Sequence, residues 1–475
     1  MIHDLTKLDV IKQIGKGSFS NVYLCRRDCQ NFFDSDDQGD FIIKEININS
    51  LVKNYVSNNT QDRIKHRFVD RKRVLYTVDV PLTPYQTNGQ SNPVHKMFKA
   101  QETFSEDEYY YKRLKELIDS EIEVLSTLNH QNIIKFYDYQ SSSGIYYLSM
   151  EYCELGDVHE ALKNTERIAD YDNARNQFNG MSMKFILDFI RQTCDGFVHL
   201  HNANIIHRDV KLHNILIKRD LTNGVSFKIS DFGFSCYDLK NADEIDTDDV
   251  LTRKYFKLCG TPYYMAPEII KNMHYLENFT KFNHDDKNTI ELTHSGLDAE
   301  YKEKLFYGKS IDLWSFGVCI YELFFNSLPF PEIKNIQDLE VFYARSDVQD
   351  YINLKVYGNG TVPDIFRKLL HLLMQVNPTQ RASITQVKAF IDDHSSELEK
   401  QCVASKTVYP ISNNNETLKT QEFQFFKNVV SNPINQDLYE TVSLSDSWEK
   451  VNKSSSLIMK MSVGKGFLDW LMNKT

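Results

Sequence analysis

Apolar and polar positions alternate through the first part of the chain. Val10, Ile11 and Ile14 precede a glycine-containing stretch, and Val22 and Tyr23 follow it. This predicts a β-hairpin over residues 8–24. Phe41-Ile42-Ile43-Lys44 predicts a third strand. The period is then lost from residue 46 to about 104, where prolines, asparagines and a basic run predict an insertion. Helical spacing returns from Glu106 to Leu128, with Leu114, Leu117, Ile118, Ile122 and Leu125 on one face. Strand signals follow at Ile133-Ile134 and from Tyr146 to Tyr152. Beyond them Ile186, Phe189, Ile190, Thr193, Phe197 and Leu200 recur at helical spacing, and an apolar helix is predicted from Asp312 to Phe325. Residues 235–257 and 271–306 are polar and irregular, and predict loops. A small strand-rich unit followed by a larger helical one predicts an α+β, two-lobed architecture.

Composition narrows the picture only a little. A length of 475 residues exceeds one ordinary core, and 41% hydrophobic with 25% charged residues fits a globular chain. The formal net charge of −10 is ill-suited to phosphate backbones, so no nucleic-acid partner is expected. No apolar run approaches the length that spans a bilayer, so no transmembrane segment is expected. Met1-Ile2-His3-Asp4 lacks the basic and apolar regions of a signal peptide. The cytoplasm is therefore the default compartment, with the nucleus left open. The eight cysteines are scattered, with neither metal-ligand spacing nor a disulfide framework, and predict reduced thiols.

Candidate chemistry lies in five segments. Gly15-Lys16-Gly17-Ser18-Phe19-Ser20-Asn21-Val22 sits between two predicted strands. Glycines lack a Cβ and let backbone N–H groups approach a phosphate chain, although an ordinary hairpin turn reads the same way. Lys44 ends an apolar strand, where an ammonium can reach phosphates and pair with a carboxylate. Glu121 on the following helix is the candidate partner; taken singly, each is an ordinary solvated charge. Ile206-His207-Arg208-Asp209-Val210-Lys211-Leu212-His213-Asn214 is more specific. It sets a carboxylate (Asp209), a cation (Lys211) and a metal-binding amide (Asn214) on one short loop, able to converge on one phosphoryl group. Asp231-Phe232-Gly233 follows the apolar strand Phe227-Lys228-Ile229, with Asp231 a candidate Mg²⁺ ligand and Phe232 an interior anchor. Gly260-Thr261-Pro262-Tyr263-Tyr264-Met265-Ala266-Pro267-Glu268 closes the segment that Asp231 opens. Its Glu268 needs a buried cation, and Arg381 is the candidate.

In this order and context the segments resemble eukaryotic-type protein kinases, over about residues 8–393. Asp312-Leu313-Trp314-Ser315-Phe316-Gly317 and Leu328-Pro329-Phe330 match the pattern of that family's larger lobe. Ile14-Gly15-Lys16-Gly17-Ser18-Phe19, Met150-Glu151-Tyr152-Cys153, Asp231-Phe232-Gly233-Phe234 and Cys259-Gly260-Thr261-Pro262 are similar to the autophagy-initiating kinases. Parts of them are shared with calcium/calmodulin-dependent kinases. Lys211 and Thr261 look like the serine/threonine class.

The resemblance implies a kinase domain at 8–393. Its smaller lobe would span about 8–150 with an insertion at 46–104, its larger lobe about 151–393 with an insertion at 271–306. An extension of unassigned role would occupy 394–475. It also implies a serine/threonine protein kinase that transfers the γ-phosphoryl group of ATP, with Mg²⁺, to protein substrates. Asp209 and Lys211 would then be the catalytic pair, and Asn214 and Asp231 the metal ligands. Ile14, Gly15, Gly17, Ser18, Val22, Ile42, Lys44, Glu121 and Leu216 would bind the nucleotide, together with Met150 at the gatekeeper position and Glu151 and Cys153 at the hinge. Asp312 would anchor the catalytic loop through its backbone.

The chain departs from the family in four places. Ser20 stands where a third glycine is usual, and Ile42 where alanine normally lies over adenine, which puts ATP affinity in question. Lys257 stands where autophagy-type relatives carry a phosphorylatable threonine, the usual partner of Arg208. Phosphorylation of Thr247 or Thr252, or the acidic run Asp243, Glu244, Asp246, Asp248 and Asp249, could substitute, though that run reads more simply as a solvated loop. Activity without an upstream kinase is the expectation. The fourth departure is insertion: 46–104 carries Arg63, Lys65, His66, Arg67, Arg71, Lys72 and Arg73. This run is a solvated basic face more often than a docking site or nuclear signal. The insertion and the tail, whose apolar end from Leu457 to Met472 is interrupted by Gly464 and Gly466, are the candidate surfaces for a regulatory partner. Two other functions compete. A scaffold without catalysis would usually lack Lys44, Asp209 or Asp231, and all are present. A small-molecule kinase would not need the peptide-docking segment Gly260 to Glu268.

Overall fold

Period-two alternation in the early strands is realised as an antiparallel sheet. β1 (Asp9–Lys16), β2 (Ser20–Arg26) and β3 (Asp40–Asn47) open the chain. The computed structural model describes residues 9–16, 20–26, 40–53, 75–78, 100–103, 106–168, 177–178, 181–220, 224–239, 259–273, 307–330, 333, 336–358 and 362–403. Within the segment expected to be irregular, β3 runs on to Asn47 and residues 48–53 are helical, with Ile48, Leu51 and Val52 buried. The first residues of that segment therefore belong to the core. Further along it, β4 (Leu75–Val78) pairs antiparallel with β5 (Ala100–Thr103). The basic run at 63–73 lies outside the described residues.

α1 (Glu106–Thr127) buries Leu114, Ile118, Ile122 and Leu125, the face that its helical spacing predicts. β6 (Phe136–Ser142) and β7 (Ile145–Glu151) complete a sheet of order β1-β2-β3-β7-β6. Ile133 and Ile134 do not lie in a strand of this sheet. Ile133 bridges to Ile229, and the Ile134 N–H donates to the Ile229 carbonyl, tying the entry of β6 to the larger lobe.

Side chains alternate across β3. Phe41 and Ile43 join Cys25 in a small cluster on one face, covered by Tyr23, Tyr137 and Tyr147. Ile42 and Ile46 pack on the main core, so Lys44 shares their face. On the edge strand β1, Val10, Ile11 and Ile14 are exposed.

The remaining chain is mainly helical. α2 (Val158–Lys163) starts at Asp157, whose carboxylate accepts from the Glu160 N–H. β8 (Gln177–Phe178) and β9 (Met181–Ser182) form a short pair before α3 (Met183–Asn202), capped by the Ser182 side chain. β10 (Ile205–Ile206), β11 (Ile215–Asp220), β12 (Gly224–Ile229) and β13 (Cys236–Tyr237) follow, pairing as β11-β12 and β10-β13. After α4 (Pro267–Lys271) comes α5 (Ser310–Phe325), buried on every side from Ile311 to Phe324, as an all-round apolar sequence requires. α6 (Ile336–Ala344), α7 (Val348–Tyr357) and α8 (Asp364–Leu373) follow; α8 packs against α5, and α6 meets it where Tyr343 lies edge-on to Trp314. α9 (Ile384–Asp393) carries a capping box between Ser383 and Gln386. The described chain continues past residue 393 as α10 (Ser395–Val403), fastened to α3 where Arg191 donates to Ser395 and Glu399. No helix among the described residues is long and apolar enough to cross a membrane. The architecture is the expected α+β arrangement of a strand-rich lobe and a larger helical lobe.

Candidate active site

Sheet register assembles the first half of the site. Val22 lies opposite Lys44, and Gly15 opposite Val22. Ile42 lies between Leu24 and Met150, and Phe41 opposite Glu151. Gly15, Val22, Ile42, Lys44 and Met150 thus sit on neighbouring positions of one sheet. Ile14 is exposed on β1; Gly17 and Ser18 lie outside the described residues.

Lys44 reaches across to α1. Its Nζ stands 2.8 Å from Glu121 Oε1 and 4.0 Å from Asp231 Oδ1. Burial pulls the ammonium's pKa down, but the Glu121 and Asp231 carboxylates outweigh it and the net direction is upward. Lys44 therefore stays charged.

Where β7 leaves the sheet, Glu151 and Cys153 are both buried. The Glu151 carboxylate accepts from Lys218 at 2.7 Å and lies 3.2 Å from the Lys228 ammonium. These two lysines fasten the crossing between lobes, and no motif pointed to them. Burial pushes the Cys153 thiol well up, so it stays protonated. Leu216 on β11 is half-buried against the main core.

The loop between β10 and β11 holds the densest chemistry. Asp209 is 3% exposed, yet its carboxylate is well supplied with donors. Lys211 Nζ donates to Oδ2 at 2.8 Å, Asn214 Nδ2 to the same oxygen at 3.0 Å, and the Thr261 hydroxyl to Oδ1 at 2.7 Å. Lys211 also donates to Thr261 Oγ1 at 2.8 Å. A buried carboxylate needs such partners. Thr261 read in the sequence as a mark of class; here its hydroxyl is a direct contact of Asp209.

Asp312, 0% exposed, anchors this loop as expected. It accepts the His207 and Arg208 N–H groups at 2.9 Å each, and its Oδ2 stands 3.0 Å from His201 Nε2. His201 had carried no sequence signal beyond its place on a helix. The His207 ring contacts the Ser230 carbonyl and the edge of Phe232, which is fully buried.

Asp231 has φ +63, a left-handed conformation that costs of order 1–3 kcal/mol in a non-glycine residue and persists only where the surroundings enforce it. α1 packs against the Phe232–Phe234 turn that follows. The Asp231 side chain is half exposed; the partial loss of water around it raises its pKa, but Lys44, Lys211 and His207 outweigh that, so the carboxyl is held below the usual range. Asn214 commits its Nδ2 to the Asp209 backbone and side chain, leaving Oδ1 as its acceptor face. Asp231 and Asn214 together offer hard oxygen donors, which suit Mg²⁺. Among the described residues no three His, Cys, Asp or Glu side chains form a metal cage. Two donors are what a Mg²⁺ held largely by phosphate and water requires.

Glu268 finds the predicted partner. Arg381 donates from Nη1 and Nη2 to its two oxygens at 2.7 and 2.9 Å, and lies over the Trp314 ring. Thr247, Thr252, Lys257 and the acidic run at 243–249 lie outside the described residues, as do most of 271–306 and everything after 403.

Comparison with known proteins places this geometry. Serine/threonine-protein kinase DCLK3 of Mus musculus is 28% identical over 281 residues, covering 59% of this chain and 28% of that protein. Serine/threonine-protein kinase ATG1 of Debaryomyces hansenii is 23% identical over 342 residues, covering 64% and 34%. Serine/threonine-protein kinase ULK1 of Homo sapiens is 31% identical over 235 residues, covering 48% and 17%. The chain spans about a third or less of the length of these relatives. The model of the protein kinase domain matches residues 85–283 and 279–390, while β1 to β3, which precede that match, complete the sheet of the smaller lobe. With more than half of its length matched, the chain belongs to the protein kinase domain family.

Proposed function

We propose that this chain is a serine/threonine protein kinase, transferring the γ-phosphoryl group of Mg-ATP to serine or threonine hydroxyls of protein substrates. One observation carries the reading. The Asp209 carboxylate, Lys211 ammonium, Thr261 hydroxyl and Asn214 amide meet within hydrogen-bonding distance, beside a closed Lys44–Glu121 pair. Asp209 accepts or orients the proton of the attacking hydroxyl, and Lys211 offsets charge on the transferred group. Lys44, fixed by Glu121, binds the α- and β-phosphates. Asn214 and Asp231 would hold Mg²⁺, which when bound would neutralise phosphate charge. Ile14, Gly15, Gly17, Ser18, Val22 and Ile42 bind the nucleotide from the smaller lobe, with Met150, Glu151 and Cys153 at the hinge and Leu216 from the larger lobe. Catalysis is then mostly positioning and fixed electrostatics.

The kinase domain is assigned to 8–393, divided near residue 150, with insertions within 46–104, beginning after the core residues Ile46, Ile48, Leu51 and Val52, and at 271–306. The extension from 394 and the first insertion are the surfaces offered to a regulatory partner. The cytoplasm is the proposed compartment, and nucleic acid is not a proposed partner.

Phosphoamino-acid analysis after incubation with labelled Mg-ATP tests the reading. Phosphoserine or phosphothreonine in a protein substrate is the expected product. Label found only in small alcohols would move the assignment to a small-molecule kinase. A folded protein that transfers nothing would move it to a scaffold.

A further inference from the structure

Among the described residues β1 is an edge strand of the five-stranded sheet, and its pairing with β2 slips twice. Val10 lies opposite Cys25 and Lys12 opposite Leu24; Gln13 lies opposite Tyr23 and Gly15 opposite Val22. Each slip advances two residues on β1 against one on β2, so Ile11 and Ile14 are extra residues, taken up as β-bulges. Both are exposed. Gly15 and Val22, two of the nucleotide-binding candidates, meet immediately beyond the second bulge. On an edge strand, paired from one side only, the ladder alone specifies that register weakly.

Three polar side chains hold it in place. Gln13 Nε2 donates to the Gly15 carbonyl at 3.1 Å, closing over Ile14, and to Asn21 Oδ1 at 3.2 Å. Asn21 Nδ2 donates in turn to Glu45 Oε1 at 3.2 Å. The hydrogen-bonded chain therefore crosses β1, β2 and β3. Its polarity is set at one end: a carboxylate only accepts, so Glu45 takes the amide donor of Asn21 and leaves Oδ1 turned toward Gln13. Glu45 follows Lys44 on β3, so the two side chains take opposite faces of the sheet. The chain thus braces, from the outer face, a stretch whose inner face carries Lys44 and, opposite it, Val22. A Cβ at Gly15 would stand 3.3 Å from Val22 Cβ, so a shift of the bulge displaces Val22.

We propose that Gln13, Asn21 and Glu45 are positioning residues for the nucleotide: their hydrogen-bonded chain fixes the second bulge of β1 and so sets Gly15 and Val22 at the spacing from Lys44 that seats the phosphates. This rests on the kinase reading above. None of the three belongs to the catalytic or metal-binding set. If the bulge is lost with Gln13 still opposite Tyr23, Ile14 rather than Gly15 comes opposite Val22, and a branched side chain enters a contact that now has none. The adenine side of the site is spared, because Met150 and Glu151 lie on β7, separated from β2 by β3. Phosphate seating is therefore lost before base binding.

The experiment measures binding of Mg-ADP and of adenosine to the full chain by calorimetry, together with kcat at saturating Mg-ATP. Asn21→Ala and Gln13→Met each weaken Mg-ADP about 3- to 10-fold, the worth of one or two exposed hydrogen bonds, and leave adenosine and kcat within about twofold. The two combined cost no more than about twofold beyond the worse single variant, because either change alone already breaks the chain. Asn21→Asp combined with Glu45→Gln rebuilds it: a carboxylate at position 21 accepts from Gln13 and from the amide introduced at position 45, and net charge is unchanged. That pair binds Mg-ADP within about twofold of wild type. Unchanged Mg-ADP affinity in both single variants overturns the proposal. So do equal losses for adenosine and Mg-ADP, which would mean a general loosening of the sheet, and a rebuilt pair as weak as Asn21→Ala. The rebuilt pair keeps the size of both side chains, so it decides should Asn21→Ala melt early. Wild type that binds no Mg-ADP overturns this proposal and the kinase reading together; wild type that binds it but transfers no phosphate overturns the kinase reading alone.

Discussion

Lys44 Nζ lies 2.8 Å from Glu121 Oε1, joining residues 77 positions apart on β3 and α1. The contact matters because α1 also packs against the Phe232–Phe234 turn. A single ion pair therefore ties the sheet to a helix, and the helix to the segment that carries Asp231. Glu121→Gln keeps the shape and removes the charge. We expect kcat/KM to fall on the order of 10²-fold, since misplaced phosphate-binding groups cost about that much. Steady-state kinetics over a range of ATP concentrations measure it, and an unchanged KM for ATP would argue that Lys44 does not meet the nucleotide.

The Glu268–Arg381 pair tests stability separately from chemistry. Arg381 is buried and bonded to both oxygens of Glu268 and to the Gln375 and Ser310 carbonyls. Glu268→Gln leaves a guanidinium with an incomplete set of partners. Breaking such a pair costs about 3–5 kcal/mol, which urea unfolding would register as a lower midpoint. The double variant Glu268→Gln with Arg381→Met should lose less than the sum of the two single changes.

Gly260 is at φ +108, and a Cβ there would meet the Arg208 carbonyl oxygen at 2.5 Å. Gly260→Ala faces both backbone strain and a clash with an immovable backbone atom. We expect it to destabilise by roughly 1–3 kcal/mol and to remove most activity. Gly233→Ala is the internal control. Its Cβ would meet Asp231 Oδ1 at 3.5 Å and Glu121 Oε2 at 3.7 Å, ordinary contacts that should cost much less in thermal stability.

His213 gives a pH signature. Its ring stacks on His159 at 3.9 Å, and burial, then His159, Lys211 and Lys163, lower its pKa to about 3. A histidine with a depressed folded pKa takes up its proton more readily when unfolded. Its contribution to stability is complete above its unfolded pKa near 6.5 and is lost as pH falls toward about 3. His213→Gln should flatten the stability profile in that window, by up to about 1.4 kcal/mol per pH unit. Parallel profiles for the variant and wild type would contradict this.

Much of the site was legible because phosphoryl transfer needs carboxylate, cation and amide on short, spaced loops, and such loops survive in the sequence as motifs. Asp209, Lys211 and Asn214 met as their spacing implied. Glu268 found Arg381 because a buried carboxylate must have a cation. The hydrogen bond from Arg208 to the Tyr307 hydroxyl was not legible. The two residues lie 99 positions apart, across a segment without regular period, and a tyrosine ahead of an apolar helix reads simply as core. His201 was hidden the same way, by its place in the pattern of α3. Ile133-Ile134 misled for a different reason. Apolarity marks burial, and here burial comes from contact with β12 rather than from membership of the five-stranded sheet.

The most direct measurement is transfer of labelled γ-phosphate from Mg-ATP to a generic protein substrate by wild type and by Asp209→Asn, with nucleotide binding followed on the same samples. The account predicts transfer by wild type, its loss in the variant, and nucleotide binding retained in both. Equal transfer by the two proteins, or none by a folded wild type that binds nucleotide, would contradict it.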